Sequence, residues 1–415
     1  MNTPEPLQQK FENRRRELEE QARQCRVDLP LRYLRQQAHY TTPAGNYDIV
    51  LKAIERGAAA VPRILTRFGI APEELAETLQ IETDRVQSAI EMPPPAPLVL
   101  VDGEDAQALR DDIIKRGREN AVRAFRTAAW GDSLRFYRPS GLDLDYCVED
   151  IVSVITRAGE GCTAVDFPID GIIFPKLQHP DELEWVCDLL ASLEGEIGLA
   201  ENQIKLQFLV ESGWAVANLR DLVMLALPRL TGIILGNADY SSDVMLPEIR
   251  TDHPNCDWVR YEMVNIAGAS GVPAIDNMTI NYPVADANLS DAENKSLLLT
   301  RMKECFDDAN HGIRLGMSGK WVGHPVQLFI TLLAYDNAFP QAHVLNEIQK
   351  IEMYEAGLSQ ERGTAIIQGV MTDRAMDRHS KALLRKAVAW GKVPPAKAEA
   401  LGIISAAERQ ALENE

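Results

Sequence analysis

The strongest constraint on this chain is the stretch from Leu206 to Tyr240, LQFLVESGWAVANLRDLVMLALPRLTGIILGNADY, which reads as strand, helix, strand. Two short apolar runs, LQFLV and TGIILG, flank a segment whose apolar residues recur at helical spacing. Continuous apolar runs around a helix imply parallel strands buried on both faces. The first run ends at Glu211 and the second at Asp239, so each strand presents one carboxylate at its C-terminal end. In a (β/α)8 barrel those ends form the active-site rim. Two carboxylates on neighbouring strand ends suit a hard dication such as Mg2+, with water and substrate oxygens completing its shell. They equally suit two ordinary acids hydrogen-bonded to loop backbone.

The pattern recurs along the chain. AHYTTPAG ends at Gly45, and LVLVDGEDA (98–106) ends in the acids Asp102, Glu104 and Asp105. SLRFYRP (133–139) brings Arg135 or Arg138 to the rim, and GIIFPKL (171–177) carries Lys176 near its end. VPAIDNMT (272–279) and IRLGMSGKWVGHPVQ (313–327) follow Tyr240. Helical segments separate these runs, so the sheet is parallel, and eight candidate strands favour a closed (β/α)8 TIM barrel over an open sheet. The expected organisation is an N-terminal helical extension over residues 1–37, a barrel over 38–335 and a C-terminal helical segment over 336–415. A helical insertion at about 60–96 interrupts the barrel and ends in the stiff run Pro93, Pro94, Pro95 and Pro97. The C-terminal segment has no strand position left in an eight-stranded barrel. It must pack outside, cover a mouth as a lid, or reach another subunit.

Charge and composition exclude several classes. The formal net charge of −18 disfavours a phosphate-backbone partner. The insertion has a faint helix-turn-helix look, but residues 61–92 hold three Arg against five Glu and one Asp, and Gln80 stands at the turn where glycine is usual. Six scattered cysteines with no CxxC pair argue against zinc and fit reduced thiols. The N-terminus has no apolar signal-peptide core and no apolar run is long enough to span a bilayer, so no membrane partner and a cytoplasmic location are expected. The N-terminal extension, with Leu7, Phe11 and Leu18 among charges, reads as a solvated helix or an oligomer contact.

Several motifs together resemble the citrate lyase β-subunit and malyl-CoA lyase family. DGEDA (102–106) resembles its DLEDA motif, LRFYRP its Arg-x-Asn strand and GIIFPKL its Pro-Lys strand. FLVESGWAV and PRLTGIILGNADY resemble its two metal-ligand strands, and VPAIDN its Ala-Ile-Asp strand. GKWVGHPVQ resembles its Gly-Lys-x-x-Ile-His-Pro-x-Gln segment, and GVMTD (369–373) its lid motif. The resemblance runs from about Leu98 to about Gly391, with the motifs in the family's order. It departs at Tyr137, where the family has Asn, at Gly323, where it has Ile, and at TTPAG, where relatives carry a CoA-holding Arg-Ser segment.

The resemblance implies a (β/α)8 barrel that makes or breaks a carbon–carbon bond between a CoA thioester and an oxoacid, with Mg2+ or Mn2+ as cofactor. Glu211 and Asp239 match the metal ligands, Arg135 the oxyanion-stabilising arginine, and Glu104 and Asp105 acids near the metal. Asp373 matches a general base that the lid delivers into a neighbouring subunit, so a homo-oligomer, trimer or hexamer, is implied. CoA-independent cleavage of hydroxy-oxoacids and malate synthase-like chemistry occur among relatives. A barrel that has lost its chemistry and serves binding or regulation is the reading from another class. On the residues alone, Asp102 caps the following helix and pairs with Arg110 or Lys115, Arg138 is a surface or salt-bridge residue, and Lys176, Asp276 and His324 serve structure.

Overall fold

The computed structural model describes residues 7–108, 110–358, 365–367 and 370–414. Eight parallel strands close a barrel in sequence order. They are β1 (Ala38–Pro43), β2 (Leu98–Asp102), β3 (Leu134–Arg138), β4 (Gly171–Phe174), β5 (Lys205–Val210), β6 (Leu230–Leu235), β7 (Ala274–Asp276) and β8 (Gly319–Val322). β1 closes the ring by pairing with β8, His39 opposite Trp321. Every residue of β2 and β6 is buried, which explains why both read as unbroken apolar runs: one face meets the barrel interior and the other the helix layer. Helix ends follow local chemistry. The Pro180–Ile197 helix starts on a capping box of His179 and Glu182, and the Asp291–Leu315 helix on one of Ser290 and Glu293.

Three short helices, Val61–Arg67, Pro72–Leu79 and Thr83–Glu91, stand between β1 and β2. Gln80 takes the left-handed conformation that closes the second of them. Leu75, Leu79 and Val86 are buried, and Arg85 is tied to Asp336 at 2.6 Å, so the third helix spends its arginine on the barrel's own helix layer. The Leu7–Gln24 helix buries none of its residues and is held by intrahelical pairs such as Arg14–Glu17 and Arg15–Glu12. No helix among the described residues is long and apolar enough to cross a membrane.

The C-terminal helices form a second core, in which Val344, Ile351, Leu384 and Val388 pack with Leu31 from before β1. Their attachment is to the N-terminal end of the barrel. Trp390 Nε1 donates to the Leu34 carbonyl at 3.1 Å, and Lys386 Nζ to Ser318 Oγ at 2.9 Å, both acceptors lying just before a strand begins.

The floor of the barrel interior is polar. His39 Nε2 lies 2.9 Å from Gln36 Oε1, and Gln207 Nε2 donates to the same oxygen at 2.8 Å. Burial holds His39 neutral and lowers its pKa to about 3. The unfolded chain therefore takes up this proton near the ordinary value of about 6.5, while the native state does so only far below it. The stabilisation is complete above that value and is lost as pH falls through the window beneath it. Urea unfolding between about pH 6.5 and pH 4.5 should show His39→Gln losing about 2–3 kcal/mol less stability than the parent chain. Parallel pH slopes in the two proteins would refute this.

Candidate active site

The DGEDA turn is organised by its first residue. Asp102 ends β2 fully buried, and its carboxylate accepts the backbone N–H of Glu104 at 2.9 Å and of Ala106 at 3.2 Å. Its register partner on β3 is Arg138. The guanidinium grips both carboxylate oxygens, Nε to Oδ1 at 2.7 Å and Nη2 to Oδ2 at 2.6 Å. Its third nitrogen lies 2.9 Å from Glu104 Oε2, and the Trp321 ring of β8 lies 5.1 Å from its centre. β3 and β8 are not neighbours, so this contact crosses the interior and puts Arg138 at the inward-facing C-terminal mouth. The Asp102 carboxylates and Glu104 outweigh burial and hold Arg138 firmly charged.

The centre of the cluster is Lys176. It follows β4 by two residues and takes a left-handed backbone, φ 57°. Its N–H donates to the Glu211 carboxylate. Its Nζ lies 2.7 Å from Asp239 Oδ1, 3.1 Å from Asp105 Oδ2 and 3.6 Å from Glu104 Oε1. Burial alone would lower the Lys176 pKa, but Glu211, Asp239 and the DGEDA acids outweigh it and raise it. Burial also pushes the Glu211 and Glu104 carboxyls upward, and the Lys176 and Arg138 cations only partly offset it. Gly236, just past β6, makes room: a Cβ there would lie 2.5 Å from Glu211 Cβ and 2.7 Å from Glu211 Oε2.

The donor set fits a hard divalent cation. Glu104, Asp105, Glu211 and Asp239 offer only oxygen, as Mg2+ requires. Glu104 Oε2 is buried and meets only the Arg138 guanidinium, at 2.9 Å without hydrogen-bond alignment. Glu104, Asp105 and Asp239 converge on the Lys176 ammonium and Glu211 on its backbone N–H, and no three metal-binding side chains among the described residues are already grouped around a common point. The Lys176 amine thus stands in the space a cation would take.

Of the residues expected from the sequence, Glu104, Asp105, Glu211 and Asp239 come together; Arg135 does not. Strand alternation turns Arg135 and Tyr137 to one face of β3 and Phe136 and Arg138 to the other. Arg135 pairs with Asp170, which precedes β4, so its guanidinium lies toward the N-terminal end of the barrel. The inward-facing arginine at the mouth is Arg138. Lys176, assigned above to structure, lies at the centre of the cluster, and its signal was a lysine at one strand end with acids at three others. Asp102 caps the DGEDA turn and not the following helix, which begins at Asp111 with no side-chain cap, and it pairs with Arg138 in place of the expected Arg110 or Lys115. Asp276 and Lys320 lie behind the sheet in a buried network with Arg260 and Asp308, and His324 caps the Pro325–Ala338 helix. Asp373 caps the Arg374–Ala389 helix, accepting from Ala375 N and Met376 N; Gly369 lies outside the described residues.

Two motif departures are compensated in space. A Cβ on Gly103, the position of leucine in DLEDA, would lie 2.7 Å from the Tyr137 hydroxyl, and one on Gly323 would run into the Tyr282 hydroxyl. Each glycine has an aromatic ring in the room that the family's larger side chain would need.

The model of the HpcH/HpaI aldolase/citrate lyase family matches residues 95–325, more than half of the chain. The chain belongs to that family. With it the protein takes its place among the carbon–carbon lyases. An L-malyl-CoA/beta-methylmalyl-CoA lyase of Cereibacter sphaeroides is 24% identical over 309 residues, 70% of this chain and 87% of the relative. A citrate lyase structure from Burkholderia xenovorans shares the fold, with TM-score 0.60 and 19% identity over 90% of this chain and 97% of that one. The CitE protein of Mycobacterium tuberculosis, solved with magnesium, acetoacetate and coenzyme A, superposes with TM-score 0.51 and 14% identity, covering 85% of this chain and 98% of that one.

The glycine contacts give a direct test of the site's packing. Gly236→Ala should destabilise the chain by about 1–3 kcal/mol, because Glu211 cannot give way without losing its partners. Gly195 sits in a helix interior with open space where its Cβ would be, so Gly195→Ala should be neutral or stabilising by up to about 1 kcal/mol. Denaturant melts of the two variants should therefore move in opposite directions.

Proposed function

We propose that this lyase reversibly cleaves a hydroxyacyl-CoA of the malyl-CoA type to an acyl-CoA and an α-oxoacid such as glyoxylate, with Mg2+ held by Glu211 and Asp239. The observation that carries the reading is the gathering of four acids on Lys176 beside the clamped Arg138: Glu104, Asp105 and Asp239 around its ammonium and Glu211 on its backbone N–H. The relatives' names and the magnesium and coenzyme A in the CitE structure support it. When bound, Mg2+ would supply electrostatic stabilisation of the oxoacid's carboxylate and carbonyl oxygens. Lys176 would swing out of the cluster as the cation enters, its four-carbon stem allowing the move.

Arg138 takes the role that the resemblance gives to Arg135. Asp102 fixes the guanidinium's orientation, so its positive charge is preorganised toward the mouth, where negative charge develops as the carbon–carbon bond breaks. In cleavage the substrate hydroxyl gives its proton to a base at the mouth, and its O–H pair becomes the oxoacid's carbonyl bond. The electron pair of the broken carbon–carbon bond passes to the α-carbon of the thioester, which takes a proton from a positioned acid; in condensation both proton transfers run in reverse. Asp373 of another copy would serve, in a trimer or hexamer.

Purified protein with Mg2+ and malyl-CoA should release glyoxylate and acetyl-CoA, and chelator should stop it. A CoA-independent enzyme would instead cleave free hydroxy-oxoacids to pyruvate, a malate synthase would release free CoA on condensation, and a binding protein would turn over none of these. In the active assay Arg138→Lys should lower turnover roughly hundredfold or more, and Arg135→Lys by no more than a few-fold. The reverse ranking would return the role to Arg135. Mixing inactive Asp373→Asn with inactive Glu211→Gln protein should restore activity after subunit exchange, since some mouths then combine an intact metal site with an intact Asp373. Failure after verified exchange would mean that Asp373 serves its own barrel or none.

A further inference from the structure

On the N-terminal face of the barrel, opposite the acidic mouth, lies a cavity of about 390 Å3 between the floor and the Arg374–Ala389 helix. Its walls are apolar, with Val27, Val264 and Val272 among them. Its polar groups are mostly cationic: Arg26, Arg385 and Lys386 against Asp28 alone among acids. Arg385 is already committed to Glu408, to Asp28 and to the Leu29 carbonyl. Lys386 is not. Its ammonium donates to Ser318 Oγ at 2.9 Å and has no carboxylate partner among the described residues, although an ammonium has three donors to place. Arg26 likewise meets only a carbonyl, that of Gly268, at 3.1 Å.

This combination is unusual in a chain of net charge −18, where most lysines and arginines have an acid at hand. A largely enclosed cation without a counter-charge is costly, and burial lowers the Lys386 pKa accordingly. An anion seated against Lys386 would remove that cost. The two spare N–H donors of Lys386, with the exposed Arg26 guanidinium beside them, match one shared carboxylate, and the apolar walls match a short hydrocarbon body. A phosphate would bring a second negative charge against the same apolar walls.

We propose that this cavity is a binding site for a small monocarboxylate, with its carboxylate on Lys386 and Arg26 and its alkyl part against the valines. The ligand would rest under the C-terminal half of the helix that begins at Asp373, and so would stiffen that helix's seat on the barrel. The site is separate from the mouth and does not depend on the reaction assigned there.

The test is calorimetric titration of the full chain with sodium butyrate, which has no oxo group with which to chelate a metal, against sodium chloride at equal ionic strength. One site per chain is expected. Lys386→Met should weaken binding about tenfold or more, since it removes a charge-assisted hydrogen bond. Arg26→Ala, at an exposed position, should weaken it several-fold without touching the core. Glu211→Gln should bind as the parent does, and inorganic phosphate should not compete. Absence of a saturable signal, unchanged affinity in a folded Lys386→Met protein, or loss of binding in Glu211→Gln would each overturn the assignment. If Lys386→Met fails to fold, Arg26→Ala decides alone, and unchanged affinity there overturns it.

Discussion

The site depends on holding four carboxylates around Lys176. Glu104, Asp105, Glu211 and Asp239 come from the ends of β2, β5 and β6, and without a cation between them their mutual repulsion and their desolvation would drive at least one to bind a proton. Lys176 supplies that cation. The geometry costs something locally, since a non-glycine residue in the left-handed region carries a penalty of about 1–2 kcal/mol. That conformation lets Lys176 answer the acids twice, with its backbone N–H on Glu211 and its ammonium on the others. An ammonium on a flexible stem is also a replaceable charge. The cluster is therefore compatible with a folded barrel without a dication, and in the proposed reading a dication would replace that charge.

A second set of buried charges shows what a site without that shortage looks like. Behind β7 and β8, Arg260 bonds Asp276 at 2.7 Å, and Lys320 meets Asp308 at 2.8 Å and the Asn277 carbonyl at 2.8 Å. All four side chains are buried. Burial would raise the Asp308 carboxyl, but Lys320, Thr279 and Arg260 outweigh it and hold it below the ordinary value. At the mouth the balance goes the other way: Glu104 and Glu211 are pushed up despite Arg138 and Lys176. Carboxyls raised by burial beside incomplete positive charge, at the strand ends where barrels do chemistry, distinguish a cation-receiving site from a closed structural network.

The barrel was legible because each strand is an apolar run bounded by turn residues and each crossover a helix, so eight runs leave few topologies. The acids were legible for the same reason, since each directly follows or ends a run. Arg135 was misplaced because LRFYRP holds two arginines three residues apart, which therefore lie on opposite faces; choosing between them needs the strand's parity and register. The pairing of Asp102 with Arg138 supplies both, and neither can be read from one strand alone. Lys176 was undervalued because its reach depends on a left-handed backbone that its sequence does not announce. Tyr137 and Gly323 looked like departures until the Tyr137 hydroxyl was seen over Gly103 and the Tyr282 hydroxyl over Gly323. The cavity beneath the barrel was invisible, because residues from before β1, between β6 and β8, and after residue 380 form it jointly.

The attachment of the C-terminal helices bears on which mouth Asp373 can serve. The Arg374–Ala389 helix is fixed at its C-terminal end, where Lys386 and Trp390 hold it to residues preceding β8 and β1. Its earlier half leans on the Gln341–Leu358 helix, through Ser380 to Glu347 at 2.6 Å and Lys381 to Glu355 at 3.5 Å, and not on the barrel wall. Sixteen residues of helix extend about 24 Å, so Asp373 stands well away from that anchor. The proposed sharing needs a packing that brings one molecule's mouth against another's C-terminal helices. The exposed apolar side chains near the mouth, Trp214, Met245 and Trp258, are of the kind such a contact would cover. Such a rim is consistent with the proposed assembly, in which each site would draw its acids and arginine from one chain and its proton-transfer group from the next.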